Sequence, residues 1–155
     1  MESLLHLGSH VREAAQHELI WRRIMVRRSA YLGVPWEKTG GYARAVRVGN
    51  IVDVGMTTAA APDGTILFPG DVYMQTKEAL RIIGVALVEV GASFEDVFRT
   101  RMYLEDMSRW EEAARAHEEI FRDIRPTTGW VGMGSFFTAE ISAEVDAMAY
   151  IEDGK

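Results

Sequence analysis

The segment Ala143-Glu144-Val145-Asp146-Ala147-Met148-Ala149 alternates residue by residue and reads as a strand, with the two acids on one face. That pattern constrains the chain to a sheet with one apolar face. A carboxylate in a mostly buried strand is costly unless something hydrogen-bonds or pairs with it, so Glu144 asks for a partner or a task. A second segment, Arg125-Pro126-Thr127-Thr128-Gly129-Trp130-Val131, is a proline-punctuated entry into another strand. Together the two look like the floor of a site.

The chain has 155 residues, 48% of them apolar and 26% charged, enough for one domain with its own core. A net charge of -6 makes neither nucleic acid nor an anionic membrane the expected partner. Without cysteine there are no disulfides, thiol nucleophiles or thiolate metal sites. No apolar run approaches the roughly 20 residues that span a bilayer. The N-terminus also lacks the charged-then-apolar order of a signal peptide. The expectation is a soluble, cytoplasmic protein.

Residues 1–41 read as a helical extension and linker, and 42–155 as the main domain. Leu4, Leu7, Val11, Ala14, Trp21 and Met25 fall at three- and four-residue steps interrupted by Glu18, an amphipathic pattern needing a surface to lie on. Pro35 and Gly40-Gly41 mark the linker, about 33 to 41. Two strand-like runs, Ala43 to Val48 and Ile51 to Met56, flank Gly49-Asn50 as a hairpin, and Pro62-Asp63-Gly64 turns into a short run from Thr65 to Phe68. Asp71 caps a helix to about Val90, ended by Gly91. In the next strand, Val97 to Glu105, the alternation assigns Phe98, Thr100, Met102 and Leu104 to the helix side and Val97, Arg99, Arg101 and Tyr103 to the other. Ser108 and Glu111 read as a capping box for a helix to about Ile124, and final strands span about 127–133 and 142–151. This order implies an α+β fold, a mixed β-sheet with two helices packed on one face. Something outside the chain must cover the other face, and a second copy is the natural candidate.

The ordered set Tyr42 to Asn50, Gly55, Gln75-Thr76, Ala79-Leu80, Gly91 to Val97, Thr100, Leu104 to Met107, Arg125-Pro126 and Glu144 to Ala149 resembles the RidA (YjgF/UK114) family over about 42 to 151. The resemblance implies a chorismate-mutase-like fold, a homotrimer with a central β-barrel, and a small-molecule cleft at each subunit interface. It implies hydrolysis of 2-aminoacrylate-type imines or enamines to 2-oxo acids and ammonia, with no cofactor and no metal. By the same resemblance Glu144 handles the proton and activates water, while Tyr42 and the backbone at Gly55 line the site. The family's clamp arginine falls on Thr128, and a usually small position falls on Trp130. A threonine hydroxyl offers one neutral donor where a guanidinium offers two charged parallel ones, so the expected substrate differs from the usual anionic imine.

Each candidate also has a plainer reading. Glu144 is either a proton-transfer group or an interface acid paired with an arginine; Asp146 suits a structural salt bridge better than shared chemistry. Arg101 is either a substitute clamp or an ion-pair partner, Tyr42 a pocket wall or a packing residue, and Trp130 a pocket-lining or a core residue. His6, His10 and His17 at spacings of four and seven make a weak metal pattern without further ligands. Arg22, Arg23, Arg27 and Arg28 form a basic patch suited to a solvated or partner-facing helix surface, with no aromatic stacking motif for nucleic acid. The leading expectation is a hydrolase on an imine, enamine or related metabolite. The alternative is a non-catalytic small-molecule-binding or interaction protein of the same fold.

Overall fold

The computed structural model describes residues 26–152. The elements are β1 (Arg27–Ala30), α1 (Pro35–Gly40), β2 (Ala45–Val48), β3 (Ile51–Thr58), α2 (Val72–Glu89), β4 (Val97–Leu104), α3 (Trp110–Phe121), β5 (Thr127–Gly132) and β6 (Ala143–Tyr150). They form one six-stranded mixed sheet in the order β1-β2-β3-β6-β4-β5, antiparallel except for the parallel β4–β5 pair. Among the described residues no helix is long and apolar enough to cross a membrane.

The sheet has two unlike faces. Val52, Val54, Met102, Val145, Ala147 and Ala149 join Leu80, Ile83 and Leu87 of α2 and Ala113 and Phe121 of α3 in one buried core. Alanines on β6 let α2 approach closely, and the expected α+β layering of helices on one face is what forms. The opposite face carries Val46, Val48, Ile51, Asp53, Arg99, Arg101, Glu144, Asp146, Met148 and Tyr150, as the strand register requires. No helix covers it.

Asp71 caps α2 as expected, its carboxylate accepting from the Met74 N–H at 2.9 Å. At the other end Arg47 reaches the carbonyl of Val90 at 3.3 Å, where a cation complements the helix dipole. The start of α3 differs from expectation. Asp106, not Ser108, supplies the cap: it accepts from the Ser108 N–H and opens a 3₁₀ turn, Met107–Arg109, that leads into α3 at Trp110. The run from Thr65 to Phe68 holds only a single bridge, Ile66 to Ala60.

Two departures matter more. The sheet begins at Arg27, inside the stretch read as helix and linker: β1 pairs antiparallel with β2, Arg28 opposite Arg47. Four residues of mixed polarity carry no strand pattern of their own, so the neighbouring edge decides their conformation. Pro35 and Gly40-Gly41 are the start and stop of α1, with Pro35 in the first turn, where its missing N–H costs nothing, and Gly41 at φ 67° closing it. The periodic apolar positions from Leu4 to Met25, the three histidines, Arg22 and Arg23 lie outside the described residues.

The second departure is a bulge in β4. Val97 pairs with Ala149 and Arg99 with Met148, so Phe98 is the extra residue. It therefore leaves the helix side and stands 45% exposed, while Val97 is buried instead. Phe98→Ser is expected to cost under about 1 kcal/mol in chemical denaturation, whereas Met102→Ala, which strict alternation would place on the same face, should cost about 2–5 kcal/mol. Equal costs would contradict the bulge.

Candidate functional site

The site is built around an irregularity in β3. Between Val54, opposite Ala147, and Thr57, opposite Val145, two residues face one, so Gly55 and Met56 form a bulge. A bulge frees carbonyls from the ladder, and buried carbonyls need donors. Arg44, 5% exposed, supplies them. Its Nη1 donates to the Met56 carbonyl and to Thr57 Oγ1 (3.2 Å), and Thr57 Oγ1 donates to the Gly55 carbonyl at 2.7 Å. Arg44 Nε lies 3.7 Å from Glu37 Oε1 on α1. The Glu37 carboxylate in turn accepts from the N–H groups of Leu32 and Gly33, each at 3.0 Å from Oε2.

Glu144 sits beside this lock, opposite Thr58 on β3 and Tyr103 on β4. It is 7% exposed and has no side-chain hydrogen-bond partner among the described residues. Burial pushes its carboxyl up to about 7, with the charge of Arg44 pulling the other way. Glu144 opens onto a cavity of about 240 Å³ whose other walls are Trp36, Tyr42, Arg44, Met56, Thr58 and Phe137. Thr58 Oγ1 is buried there without a hydrogen-bond partner.

Asp146, two residues on along the same face, has the opposite environment. Arg101 donates to it from Nε at 2.9 and 3.2 Å and holds it with Nη2 at 2.7 Å; the Tyr103 hydroxyl donates at 2.7 Å. Burial, reinforced by that hydrogen bond, pushes the Tyr103 hydroxyl up to about 12. Arg101 is therefore an ion-pair partner within its own chain, and it does not line the Glu144 cavity.

Thr128 and Trp130 do not join Glu144 within one chain either. The parallel register sets Thr128 beside Thr100 and Trp130 beside Met102, which puts both on the helix side of the sheet. Thr100 Oγ1 donates to Thr128 Oγ1 at 2.8 Å and lies 2.9 Å from His117 Nε2. Burial holds the His117 imidazole below the ordinary range. Trp130 packs on the core and meets Trp110 edge-to-face at 5.7 Å. Of the residues singled out in the sequence, Tyr42 and Glu144 share the cavity. Gly55 lies beneath it, its N–H donating to the Arg44 carbonyl at 3.0 Å and its own carbonyl taken by Thr57. Sequence reasoning missed Arg44, Trp36, Thr58 and Phe137. Arg44 alone had a signal, standing two residues from Tyr42 and so on its face.

The profile described as Endoribonuclease L-PSP matches residues 35–151. The chain belongs to this family, the YjgF/RidA group. An uncharacterized protein of Streptomyces coelicolor is 37% identical over 118 residues, 76% of this chain and 87% of that protein. A solved Mycobacterium tuberculosis member of the YjgF/YER057c/UK114 family is also 37% identical, with a TM-score of 0.74 over 81% of this chain and 100% of that one. A mouse relative named 2-iminobutanoate/2-iminopropanoate deaminase is 28% identical over 87 residues, 56% of this chain and 64% of that protein. The matched span of the YjgF/RidA chain contains α1, so the fold that carries Glu144 includes Trp36 and Glu37.

A carboxyl raised from an ordinary 4.5 to about 7 binds its proton more tightly folded than unfolded, so its contribution to stability is complete below about 4.5 and lost as pH rises through about 7. Wild type minus Glu144→Gln should accordingly lose about 2–3 kcal/mol of stability between pH 5 and 8, measured by urea denaturation. A flat difference would mean the carboxyl is not raised.

Proposed function

We propose that this protein hydrolyses a small imine or enamine, with Glu144 moving the protons, in clefts of a trimer built on the uncovered sheet face. The observation that carries the reading is Glu144 itself, a buried, unpartnered carboxyl raised to about 7 and open to a cavity. Such a group is populated both as base and as acid near neutrality. As carboxylate it takes a proton from water adding to the C=N carbon. As acid it returns a proton to nitrogen, so that the C–N bond breaks and a carbonyl compound and ammonia leave. An enamine enters the same path after protonation at carbon. Family membership and the deaminase name of the mouse relative support this class of reaction.

The substrate differs from 2-aminoacrylate-type imines in this reading. Position 128 is threonine, Arg101 is engaged by Asp146, and Arg44 is engaged by Glu37 and the bulge, so none of these three positions offers a free clamp for a carboxylate. Self-association is supported by the exposed Val48, Ile51 and Tyr150, a row of apolar side chains on a face that no helix covers among the described residues.

Two measurements test these statements. With imines generated in situ by flavin oxidases, ammonia release should be accelerated by wild type with a rate rising through pH about 7, and Glu144→Gln should lower it by about 10²-fold or more. No difference between the two on any imine would end the hydrolase reading. In sedimentation velocity the full chain should run as a trimer and Ile51→Asp as a monomer; a wild-type monomer would remove the assembly.

A further inference from the structure

The cavity beside Glu144 is walled by three aromatic rings. Trp36 and Phe137 meet edge-to-face with centroids 5.5 Å apart, and Tyr42 lines the same space. Aromatic faces carry negative charge density, and a carboxylate among such faces is the surrounding that suits an organic cation. The guanidinium in the wall offsets only part of this. Arg44 stands over the Tyr42 ring, 5.6 Å from its centroid, and its charge acts on Glu144, but that charge is shared with Glu37, 3.7 Å from Arg44 Nε.

We propose that this cavity takes a small organic cation, an iminium or primary ammonium carried on an apolar or aromatic body, and excludes carboxylates. The proposal rests on the Glu144 cavity being the substrate site. It names a substrate class: a protonated imine without an acid group. The chemistry balances as R₂C=NH₂⁺ plus water giving R₂C=O plus NH₄⁺. Glu144 carboxylate accepts the water proton as the C–O bond forms, and the positive charge on nitrogen is discharged in the same step. It then gives that proton to the amine, recovers one from the hydroxyl as the C–N bond breaks, and passes it to the departing ammonia, which leaves as NH₄⁺ with Glu144 again a carboxylate. An anionic substrate would instead meet the carboxylate as a like charge. Among the described residues the other charged or titratable groups around Glu144 are Arg44 with Glu37 on the β3 side, Tyr42, and Tyr103 and Arg101 on β4 with Asp146 on β6.

Titration calorimetry of the full chain with benzylammonium and with benzoate, equal in shape and opposite in charge, tests this. Benzylammonium should bind and benzoate should not. Affinity should fall about tenfold from pH 8 to pH 6 as Glu144 is protonated. Glu144→Gln should abolish that dependence and weaken binding about tenfold, and Phe137→Ala, at an exposed position, should weaken it about threefold. Benzoate binding in preference to benzylammonium, or benzylammonium binding indifferent to pH and to both variants, overturns the proposal. Cation binding without hydrolysis of any imine would leave this site standing and remove the hydrolase reading. Hydrolysis confined to anionic imines, with no benzylammonium binding, would do the reverse.

Discussion

One buried guanidinium organises this end of the molecule. Arg44 closes the β3 bulge by donating to Met56 and Thr57, and neutralises Glu37, which in turn holds the backbone of Leu32 and Gly33. A buried charge whose partner is removed costs several kcal/mol, so each member fixes the others. Through them the bulge, α1 and the turn after β1 are set as a unit. The cavity walls follow from that unit: Trp36 precedes Glu37, Met56 is the bulge, and Tyr42 lies two residues before Arg44.

The two acids of β6 show how far environment alone separates identical chemistry. Asp146 has a two-pronged arginine and a tyrosine hydroxyl, which is the surrounding of a structural ion pair. Glu144, one pleat away, has burial and a distant share of Arg44, which is the surrounding of an exchangeable proton. The strand that looked like a carboxylate pair thus divides into a structural anion and a titrating group.

The alternation of β6, the Gly49-Asn50 hairpin and the Asp71 cap were legible because each is a local rule that its own residues satisfy. The position of Glu144 in a cavity followed from the resemblance and from period two. Other parts were not legible for identifiable reasons. Strand β1 takes its conformation from the edge of β2, and the Phe98 bulge takes its register from β6, neither of which lies in the local sequence. The resemblance places Thr128 and Trp130 with Glu144 in a cleft between subunits; within one chain the register with Thr100 and Met102 turns them to the helix side. Arg44 was hidden because its partners lie 7 residues before it, on α1, and 12 and 13 residues after it, at the bulge.

Helix α1 joins a cavity wall to a structural lock in adjacent residues, Trp36 lining the cavity and Glu37 on Arg44. Swinging this helix outward to widen the cavity would strand two nearly buried charges and release the backbone after β1 at the same moment. The wall is therefore not a gate. A ligand of the kind proposed would pass the exposed ring of Phe137 and the half-exposed Tyr42, and its selection would fall to a preorganised chamber, not to a closing motion.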